Sequence, residues 1–356
     1  MPEPEPTASP AARAPRARTL PTPGARRATV IGAGSFGTAL AVLLARGGLR
    51  TTLQTRTPEQ AAILDSERQN GVYLPGVELP AQLRIEPAAA GVERADYVFL
   101  AVPSSGLAEV IATLGASGLG ARAAVVSVAK GLVAPDGLPP TAVLSATFGA
   151  ARVACVGGPA HAQEMVHHGA GLVAASSDEE LAGALAHVFT RAGVVCERSN
   201  DPIGVELAGA AKNAAALAAA AASPAGANAA GAAAGKVFAE IDAFARGHGS
   251  RPETFTGLAG TGDLVATVLA EGSRNRRAGE LLAQGMPADQ IGAALGQTAE
   301  AVAAVPLLAA RLKQAGVDAP VLKGLAGIID GTVDPERWTQ SLTAPKPAGR
   351  KAAKAA

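Results

Sequence analysis

The sequence predicts an α/β fold: an N-terminal Rossmann-type, doubly wound sheet followed by an all-helical C-terminal domain. Three observations predict it. The apolar, β-rich run "ATVIGAG" enters a glycine loop that opens an apolar helix. Strand-like and helix-like segments then alternate as far as Pro202. From Gly204 to about Ser341 the strand signal stops and nearly everything reads as helix with glycine-rich connections.

The elements follow in order. "ATVIG" is a short buried strand, and "SFGTALAVLLARGG" an apolar helix ending at Gly47 and Gly48. "TTLQTR" is a second strand. "TPEQAAILDSERQ" starts a helix, because Thr57 can cap it, Pro58 suits its first turn and Gln60 completes a capping box. "ADYVFLAVPS" and "AAVVSVAKG" are buried strands that each run into a turn, and "ARVACVGGPA" and "GAGLVAAS" extend the sheet. The alternation implies a parallel sheet. Asn200-Asp201-Pro202 is a helix start. The expected organisation is a disordered tail over 1–26, a dinucleotide-binding domain over 27–203, a helical substrate and catalytic domain over 204–341, and a basic disordered tail over 342–356.

With 356 residues the chain can build two cores, and 31 Lys+Arg against 30 Asp+Glu exert no general pull toward nucleic acid or a membrane surface. The longest uncharged stretch, 213–235, is mostly alanine broken by Pro224 and glycines, so no integral membrane segment is expected. Residues 1–26 hold no apolar core of a signal peptide, and Cys155 and Cys196 match no metal spacing. Cys155, in "VACVGGP", reads as a buried small hydrophobe. A reducing, cytoplasmic setting is expected. His161, His167 and His168 do not share a helical face at two-ligand spacing, and no carboxylate cluster joins them, so no metal site is expected.

"GAGSFG" places Gly32, Gly34 and Gly37 in the G-x-G-x-x-G pattern between a strand and a helix. Gly32 permits the tight turn, Gly34 lets backbone approach a diphosphate, and Gly37 allows close helix–strand packing. The second strand ends in "LQTRT", with no acid for a ribose 2′-hydroxyl but with Arg56, whose guanidinium suits a 2′-phosphate. NADPH/NADP is therefore the preferred cofactor, with NADH/NAD as the second option.

A second ligand belongs beyond the carboxyl ends of the strands. "AVPSSG", "AKG" with Lys130, and "GGPAHAQE" lie there. In the helical part, Gly257, Gly260 and Gly262 lead into Asp263, and Ser273-Arg274-Asn275-Arg276-Arg277 follows. Ser273 capping a helix, beside Arg274 and Asn275, makes an anion site suited to a phosphate monoester. Lys212 stands alone in "GVELAGAAKNAAALAAAAA". Its same-face neighbours Ala208, Gly209, Ala215 and Ala216 cannot pair with an ammonium, and Glu206 is off the face. Lys212 therefore snorkels to water or meets a partner from elsewhere, and Asp263 is the candidate; a desolvated lysine can exchange protons near neutral pH.

Together these stretches resemble bacterial NAD(P)-dependent glycerol-3-phosphate dehydrogenase over about residues 28–340. "GAGSFGTALA", "AVPS", "AKG", "GGP" followed by "QE", "IGVELAGAAKN", "GANA", "GTGDL", "SRNRRAGE" and "GQTAE" carry the resemblance; "VELAGAAKN" and "SRNRR" are the specific ones. It implies reduction of dihydroxyacetone phosphate to sn-glycerol 3-phosphate, feeding phospholipid synthesis, in a homodimer. It places Ser35, Phe36, Arg56, Lys130, Ala162, Arg274, Thr298 and Glu300 at the cofactor. It makes Lys212 the proton-transfer lysine, and Lys130, Gly158, Asp263, Ser273, Arg274 and Asn275 substrate contacts. Ala160 stands where the family usually has Ser or Thr, which removes one hydroxyl contact to substrate. Lys236 replaces a common arginine, and Gln54 a residue often aromatic. The competing readings are a related hydroxy-acid dehydrogenase, which would not need "SRNRR", and a non-catalytic NADP-binding protein, which would not need Lys212, Asn213 and Asp263 together.

Overall fold

A computed structural model describes residues 26–88, 90–270 and 272–343. The tails expected over 1–26 and 342–356 lie outside the described residues, apart from Arg26 and residues 342–343. The N-terminal part runs β1 (Arg27–Ile31), α1 (Ser35–Arg46), β2 (Arg50–Thr55), α2 (Pro58–Glu67), β3 (Gln69–Asn70), β4 (Leu74–Glu78), β5 (Arg84–Pro87), β6 (Tyr97–Leu100), α3 (Leu107–Ala116), β7 (Ala124–Ser127), α4 (Pro140–Phe148), β8 (Val153–Gly157), α5 (Ala162–His168), β9 (Gly171–Ala175), α6 (Glu179–Arg191) and β10 (Val195–Ser199).

Eight strands form one sheet in the order β10-β9-β8-β7-β6-β1-β2-β5, and β3 and β4 form a separate antiparallel hairpin. β6, β7 and β8 are buried at every residue, because helices cover both faces and no alternation of polar side chains is needed. Leu40, Leu44, Leu185 and Phe189 of α1 and α6 pack on one face. Leu107, Ile111, Leu114 and Leu144 of α3 and α4 pack on the other. The chain leaves β1 toward β2 on one side and returns to β6 on the other, so a crevice opens above the carboxyl ends of β1 and β6.

One pairing departs from the expected parallel sheet: β8 and β9 are antiparallel. The connecting helix α5 has seven residues, about 10 Å of length. A parallel return must retrace a strand of about 17 Å. The chain therefore re-enters the sheet from the end at which it left. β5, the β3–β4 hairpin and the edge strand β10 are additions to the strands read from the sequence.

The C-terminal part comprises α7 (Pro202–Ala222), α8 (Ala227–Gly247), α9 (Pro252–Thr256), a π-helical turn over Leu258–Gly262, α10 (Asp263–Leu269), α11 (Arg274–Ala283), α12 (Ala288–Leu295), α13 (Glu300–Gln314), α14 (Pro320–Ile329) and α15 (Pro335–Thr343). α7 starts at Pro202, as the Asn200-Asp201-Pro202 signal implies, and Asp201 Oδ1 accepts from Gly204 N–H at 2.8 Å and caps it. The same carboxylate accepts from Ser250 Oγ, Arg251 N–H and Thr254 Oγ1, which ties the start of α9 to α7. α7 is the central post of this part, buried along nearly its whole length. Alanine suits that place: small side chains let α8 and α11 approach its backbone. Lys236 Nζ donates to the Leu342 carbonyl at 3.0 Å, so the lysine that replaces arginine ties down the end of α15. Cys155 is buried, with Sγ donating to the Pro202 carbonyl at 3.4 Å. No helix among the described residues is long and apolar enough to cross a membrane.

Candidate active site

The glycine loop occupies the crevice above β1 and β6. Gly32 has φ +110°, and a Cβ there would lie 2.5 Å from the Ala101 carbonyl oxygen. A Cβ on Gly37 would lie 1.9 Å from the Gly32 carbonyl oxygen, so α1 packs against β1 only with glycine there. Gly34 has open space in front of it, with nothing within 4 Å. The first turn of α1 carries no side-chain cap and no acid. Its free N–H groups and the positive end of its dipole therefore fit a diphosphate. Ser35 and Phe36 form that first turn, and Phe36 packs against the core. Asn70 of the hairpin donates to the Ala33 carbonyl at 3.0 Å and to Thr38 Oγ1 at 2.8 Å, bracing the loop from behind. Arg56 is exposed at the end of β2, and its N–H donates to Gln60 Oε1 while Thr57 Oγ1 accepts from Gln60 N–H. Gln54 points into the fold and donates to the Ala90 carbonyl at 2.7 Å.

The two halves meet in an ion cluster. Lys130, just beyond β7, places Nζ 2.5 Å from Asp263 Oδ2 and 2.9 Å from the Gly158 carbonyl oxygen. Gly158 has φ +103°, and a Cβ there would lie 2.5 Å from the Gly171 carbonyl oxygen, so only glycine aims that carbonyl at Lys130 without strain. Lys212 of α7 places Nζ 3.4 Å from Asp263 Oδ1 and donates to Thr267 Oγ1 at 2.9 Å. The lone lysine thus meets its expected partner and one more. Asp263 has a side chain 1% exposed and sits immediately after the π-helical turn, whose Gly260 passes too close to Phe255 for any side chain.

Burial pushes the Lys212 pKa down to about 8, with Lys130 adding repulsion and Asp263 opposing both. Burial would raise Asp263, but the ammoniums of Lys130 and Lys212 overcome it and hold the carboxyl below its ordinary value. His161, at the start of α5, is lowered by burial and then by the Lys212 charge, which places it in the field of this cluster.

The cap read from the sequence as an anion site opens α11, which packs on α7. Ser273 Oγ accepts from Arg276 N–H at 3.3 Å and caps α11 as expected. Arg274 is exposed, Asn275 is buried, and Asn275 Oδ1 accepts from Ala301 N–H at 3.1 Å. This bond sets the start of α13 against the start of α11. Glu300 opens α13, and burial raises its carboxyl while Arg274, Lys212 and Lys130 pull it back. The Ser104 backbone acts on it in the same direction. Thr298 is exposed in the turn before α13. Ala160 and Ala162 are partly buried on either side of His161, packed against the core under the sheet.

Of the residues read from the sequence, Lys130, Gly158, Lys212 and Asp263 are in direct contact, Glu300 acts on Lys212 through its charge, and Arg274 acts on Glu300. Arg56 and the glycine loop stand apart from the cluster, at the β1 and β2 ends of the crevice. Thr267, Asn70 and Ser104 were not singled out. Thr267 was within reach, since it follows Asp263 at i+4 and so shares its helix face. Asn70 and Ser104 act across long separations and carry no such spacing.

Comparison with known proteins identifies the family. Residues 27–182 match the family model described as NAD-dependent glycerol-3-phosphate dehydrogenase N-terminus, and residues 201–340 the one described as its C-terminus. A "Glycerol-3-phosphate dehydrogenase [NAD(P)+]" from Methylibium petroleiphilum is 39% identical over 324 residues, covering 89% of this chain and 96% of that one. The protein of the same name from Deinococcus radiodurans is 37% identical over 320 residues, covering 88% and 93%. The crystal structure of glycerol-3-phosphate dehydrogenase from Coxiella burnetii superposes with a TM-score of 0.83 at 28% identity, covering 90% of this chain and 99% of that one. The paired lysines on one buried aspartate, the glycine crevice and the arginine-flanked cap therefore belong to a member of the NAD-dependent glycerol-3-phosphate dehydrogenase family.

Proposed function

We propose that the reversible NAD(P)H-dependent reduction of dihydroxyacetone phosphate to sn-glycerol 3-phosphate is carried out in this chain with Lys212 as proton donor. The observation that carries the reading is the Lys212 ammonium, buried between the two halves and 3.4 Å from Asp263. When bound, the nicotinamide supplies the hydride for the carbonyl carbon. Lys212 gives its proton to the carbonyl oxygen as negative charge develops there. Lys130 adds positive potential at the same place. Asp263 and Thr267 hold the Lys212 ammonium in one orientation. Ser273, Arg274 and Asn275 take the substrate phosphate at the start of α11, which fixes the ketone at a distance from its charge. In the reverse direction neutral Lys212 is the base.

Lys212→Ala should lower kcat for dihydroxyacetone phosphate roughly 10²- to 10⁴-fold, the usual worth of a general acid, with NADPH affinity intact. Turnover close to wild type, followed by nicotinamide absorbance, would remove Lys212 from this role. Ala160 offers no hydroxyl to the substrate, a loss of about 0.5–1.5 kcal/mol that leaves the phosphate contacts to dominate binding.

The preference for NADPH over NADH rests on Arg56, exposed where the 2′-substituent of a dinucleotide would lie. Arg56→Asp should raise the KM for NADPH and lower that for NADH. An unchanged NADPH value would cancel the preference. A homodimer in the cytoplasm completes the proposal, and a single-chain mass in solution would contradict the dimer.

A further inference from the structure

Lys130 and Lys212 come from different halves of the chain. Lys130 lies on the connection from β7 to α4, residues 128–139, and Lys212 on α7. Something must set one against the other. α7 presents successive turns to that connection. Asn213 Nδ2 donates to the Lys130 carbonyl at 3.1 Å. Gly209 makes room for the Lys130 stem, whose Cγ lies 3.4 Å from where a Cβ on Gly209 would stand. Glu206 is buried one turn earlier. Its carboxylate accepts from Thr141 N–H at 3.0 and 3.1 Å and from Thr141 Oγ1 at 2.6 Å.

Thr141 lies in the first turn of α4, and Pro139 at the cap position supplies no side-chain acceptor. Both ends of the connection are therefore tied to α7, by Asn213 at one end and Glu206 at the other. Between them the chain closes on itself: Val133 N–H donates to the Leu138 carbonyl at 2.9 Å and Leu138 N–H to the Val133 carbonyl at 3.3 Å. Leu132 is buried in the core of the helical part. A span pinned at both ends and closed in the middle passes a shift at α4 on to Lys130.

We propose that Glu206 is a positioning residue for the reduction: by holding the start of α4 against α7, it fixes where the Lys130 ammonium stands relative to Lys212 and Asp263. The proposal rests on the role given to Lys212 above. A carboxylate at a helix start also serves as an ordinary cap. The two roles differ in what they require. A cap may come from anywhere, whereas positioning needs the acceptor to stand on α7.

The groups facing Lys212 are Lys130 from the β7–α4 connection, Asp263 and Thr267 from α10, Glu300 from α13 and His161 from the start of α5. Lys130 is the one that disfavours the Lys212 proton most after burial. If Lys130 drifts, Lys212 holds its proton to higher pH. The test uses the full chain as wild type, Glu206→Gln, Glu206→Ala and Glu206→Ala with Pro139→Asp, which gives α4 a cap of its own. Each is assayed for kcat, KM and melting temperature with NADPH and dihydroxyacetone phosphate at neutral pH, below the value of about 8 to which burial pushes Glu206 itself. Glu206→Ala should keep its KM for NADPH and lose roughly ten-fold in kcat, while Glu206→Gln, which keeps an acceptor on α7, should retain most of it. Pro139→Asp should restore the melting temperature lost in Glu206→Ala but not kcat. Wild-type kcat in Glu206→Ala, or its recovery with Pro139→Asp, would make Glu206 a cap and nothing more. Failure of the Lys212 assignment shows separately, as retained turnover in Lys212→Ala.

Discussion

Lys212 is surrounded along its own helix by side chains that can neither pair with it nor solvate it, so its proton affinity is decided by groups from other elements. Burial and Lys130 bring its pKa to about 8. The sign of the pH dependence follows. Below about 8 the ammonium is present and can donate; above it the donor is lost. With chemistry limiting, kcat for ketone reduction should fall as pH rises through about 8, while kcat for glycerol 3-phosphate oxidation, which needs the free amine, should rise through the same range. Measuring both directions on one preparation checks this, and two profiles with the same slope there would contradict it. The isolation of Lys212 is legible in the sequence because an i±3 or i±4 partner is either there or not, and none is. Its link to Asp263 is legible only as a candidate, because nothing local joins positions in different helices. Thr267 escaped although Asp263 at i−4 pointed to its face.

At the scale of elements, what a residue can do depends on how closely the elements carrying it approach. α11 lies directly on α7 at Gly279, where a Cβ would meet the Leu217 carbonyl oxygen at 2.4 Å and Ala220 Cβ at 2.7 Å. This contact sets how far α11, which carries the Ser273–Asn275 cap, stands from α7. Gly279→Ala should push α11 outward, costing about 1–3 kcal/mol, the usual range for overpacking. It should also raise the KM for dihydroxyacetone phosphate several-fold while sparing that for NADPH. Urea unfolding and steady-state kinetics read the two effects, and an unchanged substrate KM would dissociate the α7–α11 contact from the phosphate site. The same dependence on approach explains what could be read beforehand. Helices and inner strands announce themselves by period and by unbroken apolar runs, as in β6 and β7. The antiparallel β9 does not, since its direction depends on the length of α5 rather than on its own residues. β5 and β10 are short edge strands with exposed residues, and they read as connections. The cap at Ser273 was legible because capping is local. The bond from Asn275 to α13 was not.

At the scale of the molecule, Asp263 is the one carboxylate in contact with both Lys130 and Lys212, among the described residues, and so it joins the sheet to the helical part. Removing a buried charge from such a cluster leaves its partners uncompensated, which commonly costs about 3–5 kcal/mol. Asp263→Asn should therefore lower the unfolding free energy of the whole chain by that order, besides abolishing turnover. The penalty should depend on pH in a direction the cluster dictates. Part of it is the lost attraction between Asp263 and the Lys212 ammonium, which exists only while Lys212 is protonated. Asp263 raises the Lys212 pKa, so in the variant the lysine sheds its proton at a still lower pH. Above about 8 neither protein carries that charge, and the difference in stability between them should shrink, leaving the share owed to Lys130. Denaturant unfolding of both proteins at neutral pH and about two units higher measures it. A difference that stays constant or grows over that range would mean that Asp263 stabilises the junction by its hydrogen bonds or its shape rather than by its charge on Lys212.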